Sequence, residues 1–204
     1  MSRQAEIFES KVGLAPLPDE TLFSWCSRYH RLAANGLDRT TCLQLFGHAR
    51  IGSAHDFPGR IDALVARSKG SLGSAEQVIR DRTLLPFYWP FKPSDLARQS
   101  VAAMRGNDIA HLKYRMGLLT SGLGAAHPLK TCPECMQADL EGHGWAYWRR
   151  AHQLPGVWVC PSHGMPLRVS HLKLDQVARF AWALPVPACG QEVVCLDRAA
   201  DKST

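Results

Sequence analysis

The chain has 204 residues, of which 46% are hydrophobic and 21% are charged, which excludes a disordered or fibrous protein and suits one large domain or two small ones. Its formal net charge of +6 favours contact with nucleic acid, although many soluble proteins are basic for other reasons. No apolar run reaches the roughly 20 residues that span a bilayer, and residues 1–11 lack the apolar core of a signal peptide. We therefore expect a cytoplasmic protein.

Residues 1–18 predict an extended N-terminal arm, because Pro16 and Pro18 remove backbone donors and fix φ. Asp19 is expected to cap an amphipathic helix. The apolar residues of this helix recur at spacings of three and four until an Asn-Gly pair at 35–36 ends it.

Asp38 or Thr40 is expected to cap a second helix that continues through Phe46 and is closed by Gly47, which places a helix, a turn and a helix within about 30 residues. This spacing fits a DNA-binding helix-turn-helix, and it fits a simple helical hairpin equally well. Four nearby arginines are candidates for contacts to phosphates or to a partner, or they form a solvated face. They are Arg28, Arg31, Arg39 and Arg50.

Further helices complete a predicted helical domain over residues 19–128. Capping residues followed by apolar periodicity and then by Gly or Pro predict helices at 61–67, 75–85, 94–104 and 108–119. Pro86 is expected to end the second of these helices. The aromatic residues between 84 and 91 are expected to fill a core rather than to stack on bases.

Two pairs of cysteine or histidine residues, each pair separated by two residues, form the strongest motif in the chain. They are Cys132 with Cys135, and Cys160 with His163. Each pair can converge on one ion from a tight turn, and two such turns supply the four ligands of a tetrahedral zinc ion. One structural zinc ion (Zn2+) and a small zinc-ribbon domain over residues 129–170 are therefore predicted, followed by a C-terminal helix and tail over residues 171–204.

Two histidines, His143 and His152, lie between the two pairs, and we expect them to be hydrogen-bonding or loop residues rather than a fifth ligand. Redox activity of the cysteines is an alternative to metal binding. Four protein ligands would leave no open position on the metal, which argues against catalysis there. The chain has no phosphate-binding G-x-x-x-x-G-K-[ST] motif and no H-E-x-x-H motif.

The remaining cysteines fall into two groups. His171, Cys189 and Cys195 would have to form any second zinc site, but they contain no paired half-site, so this possibility stays open. Cys26 and Cys42 lie on the apolar faces of predicted helices and are expected to be buried.

Several segments in this order resemble the TniQ/TnsD family of transposition target-selection proteins. They are Leu17–His30, Arg82–Pro86, Cys132–Cys135, Tyr147–Gln153, Cys160–Gly164 and Leu167. The resemblance covers residues from about 14 to 170. It implies a mainly α chain, with an N-terminal helix-turn-helix-type helical domain followed by a small zinc-ribbon domain.

The resemblance further implies a non-catalytic bacterial adaptor that marks target DNA and recruits a TnsC-like AAA+ ATPase, which brings the transposase. In CRISPR-associated transposons such adaptors are delivered by an RNA-guided effector such as Cascade or a Cas12-type protein. We hypothesise that the arm before Asp19 and the first helical hairpin meet the ATPase. A stand-alone transcription regulator that binds DNA is the alternative, and a metalloenzyme with Glu134 as general base is a third possibility that would need an open metal position.

Overall fold

The computed structural model describes residues 14–119, 128–172 and 180–186, and these residues are mainly helical, as predicted. The α-helices in chain order are α1 (Leu22–Leu32), α2 (Asp38–Phe46), α3 (Ile61–Arg67), α4 (Ala75–Arg82), α5 (Leu85–Tyr88), α6 (Ser94–Arg105), α7 (Leu112–Arg115), α8 (Pro133–His143) and α9 (Arg150–Gln153). A 3-10 helix at Trp89–Phe91 follows α5, and the strands β1 (Lys130–Thr131) and β2 (Arg168–Val169) form an antiparallel pair. Within these described ranges, no helix is long and apolar enough to cross a membrane.

Helix α1 lies at the centre of the core, and all of its residues from 22 to 29 are buried. Thr21 has an extended backbone, and its hydroxyl accepts a hydrogen bond from the backbone N–H of Ser24 at 3.2 Å, so Thr21 is the N-cap. The prediction that Asp19 caps this helix is wrong. Asp19 has a φ of 52°, and its carboxylate accepts a hydrogen bond from the backbone N–H of Ala151 instead.

Helix α2 runs from Asp38 to Phe46 and is closed by Gly47, as predicted, and Gly47 takes the left-handed conformation that favours glycine at a helix end. The prediction that Asp38 or Thr40 caps the start of this helix is wrong, because Leu37 is the N-cap and Asp38 is the first helical residue. Helices α1 and α2 pack against each other. This order of helix, turn and helix does not distinguish a DNA-binding motif from a helical hairpin, so DNA binding by this part stays a prediction. Gly52 then passes close to α2, because a Cβ at this position would lie 2.4 Å from the ring of Phe46.

The predicted bounds of two helices are wrong. Helix α4 ends at Arg82, because Thr83 is extended. Pro86 does not end a helix; it lies in the first turn of α5, where its missing N–H leaves no hydrogen bond unmade. Helix α7 has four residues instead of the predicted stretch 108–119, since His111 has a φ of 58° immediately before it.

The aromatic segment between α4 and α6 fills the core only in part. Tyr88 is buried, and its ring lies edge-on to that of Phe87, with 5.2 Å between the centroids. Phe91 is 67% exposed. The prediction that this segment fills the core is therefore confirmed for Tyr88 and is wrong for Phe91.

Residues 180–186 pack across the first two helices. The ring of Trp182 stacks on Phe23 with 5.5 Å between the centroids, and it is parallel to the ring of Phe46 at 6.3 Å. Its backbone N–H donates to the carboxylate of Asp38 at 3.0 Å. The predicted helix beyond residue 171 falls largely on residues 173–179, which lie outside the described residues, and residues 181–186 are not helical.

The region that contains the two strands is joined to α1 by backbone hydrogen bonds. The N–H of Thr21 donates to the carbonyl of Trp148 at 3.0 Å, and the N–H of Trp148 donates to the hydroxyl of Ser24, also at 3.0 Å. Trp148 is fully buried in the same hydrophobic core as α1. The domain boundary predicted at residues 128–129 adjoins residues 120–127, which the structure does not describe, and this division of the chain stays a prediction.

Candidate metal centre

The two Cys and Cys/His pairs converge at one end of the molecule. Cys132 is the residue before α8, and Pro133 begins this helix at the position that proline favours, so Cys135 lies in the first turn. Cys160 and His163 lie on a tight turn. The turn is closed by hydrogen bonds from the N–H of Cys160 to the carbonyl of Met165 at 2.8 Å and from the N–H of Gly164 to the carbonyl of Cys160 at 2.9 Å.

The four side chains are arranged as ligands of one metal ion. Their ligand atoms all lie within 4.8 Å of one another. The Sγ atoms of Cys135 and Cys160 are 3.6 Å apart, and Nδ1 of His163 lies 3.5 Å, 3.4 Å and 3.6 Å from the Sγ atoms of Cys132, Cys135 and Cys160. A tetrahedron with zinc bonds of about 2.3 Å to sulfur and about 2.0 Å to nitrogen has edges of roughly 3.5–3.8 Å. The donor set and its spacing therefore fit a tetrahedral ion.

The electrostatic environment favours a thiolate at one of these cysteines. Burial alone would raise the pKa of Cys160, but backbone N–H groups of Ser162 and His163 donate to its sulfur, with further hydrogen bonds from side chains, and its pKa falls to about 7. Burial raises the pKa of the neighbouring Cys135 to about 12. In the absence of a metal the cluster thus holds protons that a bound cation would displace.

His152 lies against this cluster from the side of α9. Its Nε2 is 3.7 Å from the sulfur of Cys135 and 3.6 Å from the sulfur of Cys160, and the residue is buried. Burial, reinforced by the charge of Arg149, lowers the pKa of His152 to about 4, so its imidazole is neutral. A neutral imidazole can accept or donate a hydrogen bond and can also bind a metal, so the expectation that His152 is a hydrogen-bonding residue rather than a ligand stays a prediction. The other intervening histidine, His143, is exposed at the end of α8, and its ring faces that of Tyr147 at 6.1 Å.

An ion pair fixes α8 to the segment that leads into α9. The Arg149 side chain donates from Nε to Oδ2 of Asp139 at 3.0 Å and from Nη2 to Oδ1 at 2.5 Å. The backbone of Arg149 also forms an isolated antiparallel bridge with Glu20. No sequence motif points to this contact, because the two charged residues are ten positions apart and are brought together by a turn.

Lys130 closes the other side of the cluster. Its ammonium group donates to the carbonyl oxygens of Leu154 and Val157 at 2.9 Å and 2.5 Å, and it lies 4.8 Å from the centre of the Trp158 ring. Burial lowers the pKa of Lys130 to about 8. This lysine ties β1 to the loop that precedes Cys160, and nothing in the sequence distinguishes it from a surface lysine.

Comparison with known proteins identifies the family of this chain. The TniQ family model matches residues 12–167, which include all four candidate ligands. This chain belongs to the TniQ family. The chain is also 24% identical over 143 residues to the transposition protein TnsD of transposon Tn7 from Escherichia coli. This alignment covers 69% of the chain but only 28% of TnsD, so the chain matches a limited part of that larger relative.

In this TniQ chain, the four arginines that were predicted to contact phosphates or a partner have different surroundings. Arg28 is buried and donates to both carboxylate oxygens of Glu20, at 2.8 Å and 2.7 Å, so its side chain has an internal partner. Arg31, Arg39 and Arg50 are exposed. Among the residues that the structure describes, none forms a hydrogen bond or an ion pair with their guanidinium groups. Their predicted contacts to DNA or a partner stay predictions.

The other cysteines, His171 and Glu134, for which the sequence also made predictions, are not part of this cluster among the described residues. Cys26 and Cys42 are fully buried, as predicted. His171 is exposed, whereas Cys189 and Cys195 lie outside the described residues, so a second metal site stays untested. Glu134, the hypothetical general base, is exposed in the first turn of α8.

Proposed function

We propose that this chain is a non-catalytic targeting adaptor of a bacterial transposition system. It selects a target DNA site and recruits a TnsC-like AAA+ ATPase, which brings the transposase. The observation that carries this proposal is the TniQ family match over residues 12–167, and the likeness to the Tn7 protein TnsD supports it.

In this proposal Cys132, Cys135, Cys160 and His163 bind one structural zinc ion. Three sulfurs and one imidazole nitrogen at tetrahedral spacing support zinc, which prefers these donors. Zinc would supply folding free energy to a part of the chain whose own apolar cluster consists of the three cysteines, Leu167 and Val157. Because four side chains complete the coordination, this site would orient a docking surface and would not activate water.

Two surfaces of the chain would carry the contacts. The first is the N-terminal arm together with the α1–α2 hairpin, which we assign to the ATPase. The second consists of Arg39 and Arg50, which we assign to phosphates of the target DNA, because they are exposed and have no partner among the described residues. Arg31 is exposed as well, and we assign it to a contact with a protein partner. An RNA-guided effector, either Cascade or a Cas12-type protein, would supply the target where the transposon is CRISPR-associated.

Reconstituted transposition tests the proposal directly. The chain would be combined with a TnsC-like ATPase and a transposase, with and without an RNA-guided effector, and insertion into a target plasmid would be counted. We expect insertion at one site only when the chain is present. Insertion at the same frequency and site without the chain would refute the adaptor function.

Deletion of residues 1–13 tests the contact of the arm with the ATPase. This variant keeps Leu14, whose carbonyl accepts a hydrogen bond from Nε1 of Trp25 at 2.8 Å, so the described part of the arm retains its anchor. Loss of ATPase pull-down at unchanged melting temperature would support the contact. Undiminished pull-down would exclude residues 1–13 from the interface.

A stand-alone DNA-binding regulator is the second candidate function, and the three exposed arginines favour it. Such a protein would bind one duplex tightly without any partner. A gel shift with fragments of the host genome at physiological salt distinguishes the two functions. A single fragment retained at nanomolar protein would support the regulator, because nonspecific binding is typically weaker than about 1 μM.

A further inference from the structure

A groove on the surface lies between the end of α1, the end of α8 and residues 184–186. Its volume is about 510 Å³. We call it the Arg31 groove, and the residues that define its character are Arg31, Leu140, Trp145, Leu184 and Val186. None of these residues is a candidate metal ligand and none lies in the arm of residues 1–18, whereas Arg31 lies in the last turn of α1.

The walls of the Arg31 groove are apolar and partly open to solvent. Leu140 is 36% exposed and Val186 is 39% exposed, although both are side chains that gain free energy from burial. Trp145 is half-buried, and Leu184 is 6% exposed. A pocket of roughly 300–1,000 Å³ with apolar walls is the size that encloses a small ligand or a few side chains.

The described lining of the Arg31 groove carries one charge, which is positive. Arg31 is the single charged side chain among the described residues that line it, and its guanidinium group has no ion-pair partner among them. An exposed arginine at the rim of an apolar groove complements a carboxylate that enters with an apolar group. Tryptophan and arginine are also the residue types that contribute most often to binding at protein interfaces.

Nucleic acid fits the Arg31 groove less well. A DNA strand needs a series of cations along its phosphates, whereas this groove offers one arginine above apolar walls. An amphipathic peptide needs the opposite combination, which is an apolar pocket with a single charge at its edge.

We infer that the Arg31 groove binds a short acidic peptide segment of a protein partner, with a bulky apolar side chain against Trp145 and Val186 and a carboxylate on Arg31. The inference goes beyond the adaptor function and does not depend on it, because it concerns only the chemistry of the peptide. Binding of a synthetic peptide and counting of insertions therefore test the two separately.

An array of synthetic peptides provides the probe. Each peptide would carry one Phe, Leu or Trp and one to three Asp or Glu residues at varied spacing in a Gly/Ser background. Matched peptides would carry Lys in place of the acids, or Ala in place of the apolar residue. The full-length zinc-loaded chain would be applied to the array, and the Kd of the best peptides would then be measured by fluorescence anisotropy.

Three variants locate the binding. R31E reverses the charge of the groove and V186E places an acid on its apolar wall, whereas R50E reverses the charge of an exposed arginine that does not line it. Melting temperature and zinc content would confirm that each variant is folded. We expect the acidic apolar peptides to bind the parent chain, with a Kd that rises at least about tenfold in R31E and V186E and stays within about twofold in R50E.

The contrary outcomes are equally specific. The inference is overturned if no peptide on the array distinguishes the parent chain from R31E, or if Lys peptides bind as well as the acidic ones. It is also overturned if duplex DNA competes for the site and loses affinity in R31E. A fourth contrary outcome is binding only after residues 187–204 are removed, since this would make the chain's own C-terminal segment the occupant.

Discussion

The Asp139 carboxylate accepts two hydrogen bonds from the guanidinium group of Arg149, and the Asp139 side chain is only 2% exposed. Asp139 belongs to α8, which begins at the metal cluster, whereas Arg149 adjoins α9 and pairs through its backbone with Glu20. Removal of one partner of such a buried pair lowers the free energy of unfolding, because the remaining partner keeps a desolvated charge. This contact therefore connects α8, which begins at the candidate metal site, to the segment that pairs with Glu20 just before α1.

Asp139→Asn should destabilise the chain by about 3 kcal/mol, because it removes one partner of a largely buried, two-point ion pair. The free energy of unfolding would be measured in urea with zinc present. Asp95→Asn is the matched control, since Asp95 pairs with Arg98 at the surface with 76% of its side chain exposed, and its loss should have little effect. Equal effects of the two substitutions would contradict the structural role of Asp139.

Cys160→Ser should remove the metal from the purified chain and lower its melting temperature. A serine hydroxyl is a poor zinc ligand beside two thiolates, and the remaining three ligands would bind the ion weakly. Elemental analysis would give the zinc content, and the visible spectrum of the cobalt form would report the number of sulfur ligands. Cys42→Ser is the control, because this buried residue lies away from the site. We expect this substitution to lower the stability of the chain and to leave its content at one zinc ion per chain. Retention of a full zinc equivalent by Cys160→Ser would show that the ligand set is wrong.

The cluster of Cys132, Cys135, Cys160 and His163 could be predicted from the sequence, because two residues between paired ligands are the spacing that a single turn requires. The Asp139–Arg149 pair could not, since charged residues ten positions apart have no fixed relationship until the turn between them is known. The contact of Trp182 could not be predicted either, because its hydrogen bond to Asp38 joins residues that are 144 positions apart. Pro86 shows a local ambiguity, because proline after an apolar run indicates the end of one helix or the first turn of the next.

Removal of the metal should loosen the beginning of α1 as well as the metal site. The amide of Thr21 donates to Trp148, and the amide of Trp148 donates to Ser24, so both depend on the position of the segment before α9. Hydrogen exchange with and without EDTA would measure the protection of these amides. The amide of Gly106, which donates to Ala102 at the end of α6, is the internal reference. Unchanged exchange at Thr21 after complete zinc loss would show that the predicted zinc domain is independent of the helical part.

His152→Ala should weaken zinc binding without removing a ligand. Residues that hydrogen-bond to metal ligands typically change affinity by roughly 10- to 100-fold when they are replaced, and Nε2 of His152 lies against two of the sulfurs. Competition with a fluorescent chelator would give the Kd for zinc. His143→Ala is the control, because this exposed histidine faces Tyr147 and should leave the affinity unchanged. A loss of one full metal ligand in the cobalt spectrum of His152→Ala would instead identify His152 as a direct ligand.

Arg28→Ala should behave differently from substitutions of the other predicted arginines. Its guanidinium group neutralises Glu20, whose side chain is fully buried, and donates to the carbonyl of Ala15 at 2.8 Å. Removal of Arg28 leaves a buried carboxylate with the hydrogen bond from the backbone N–H of Leu17 but without its cationic partner, so we expect a loss of about 3–5 kcal/mol in the free energy of unfolding. Arg39→Ala should keep the stability of the parent chain, because Arg39 is exposed. If Arg28→Ala unfolds at the same urea concentration as the parent chain but binds DNA more weakly, then Arg28 contacts phosphate and the internal ion pair does not stabilise the fold.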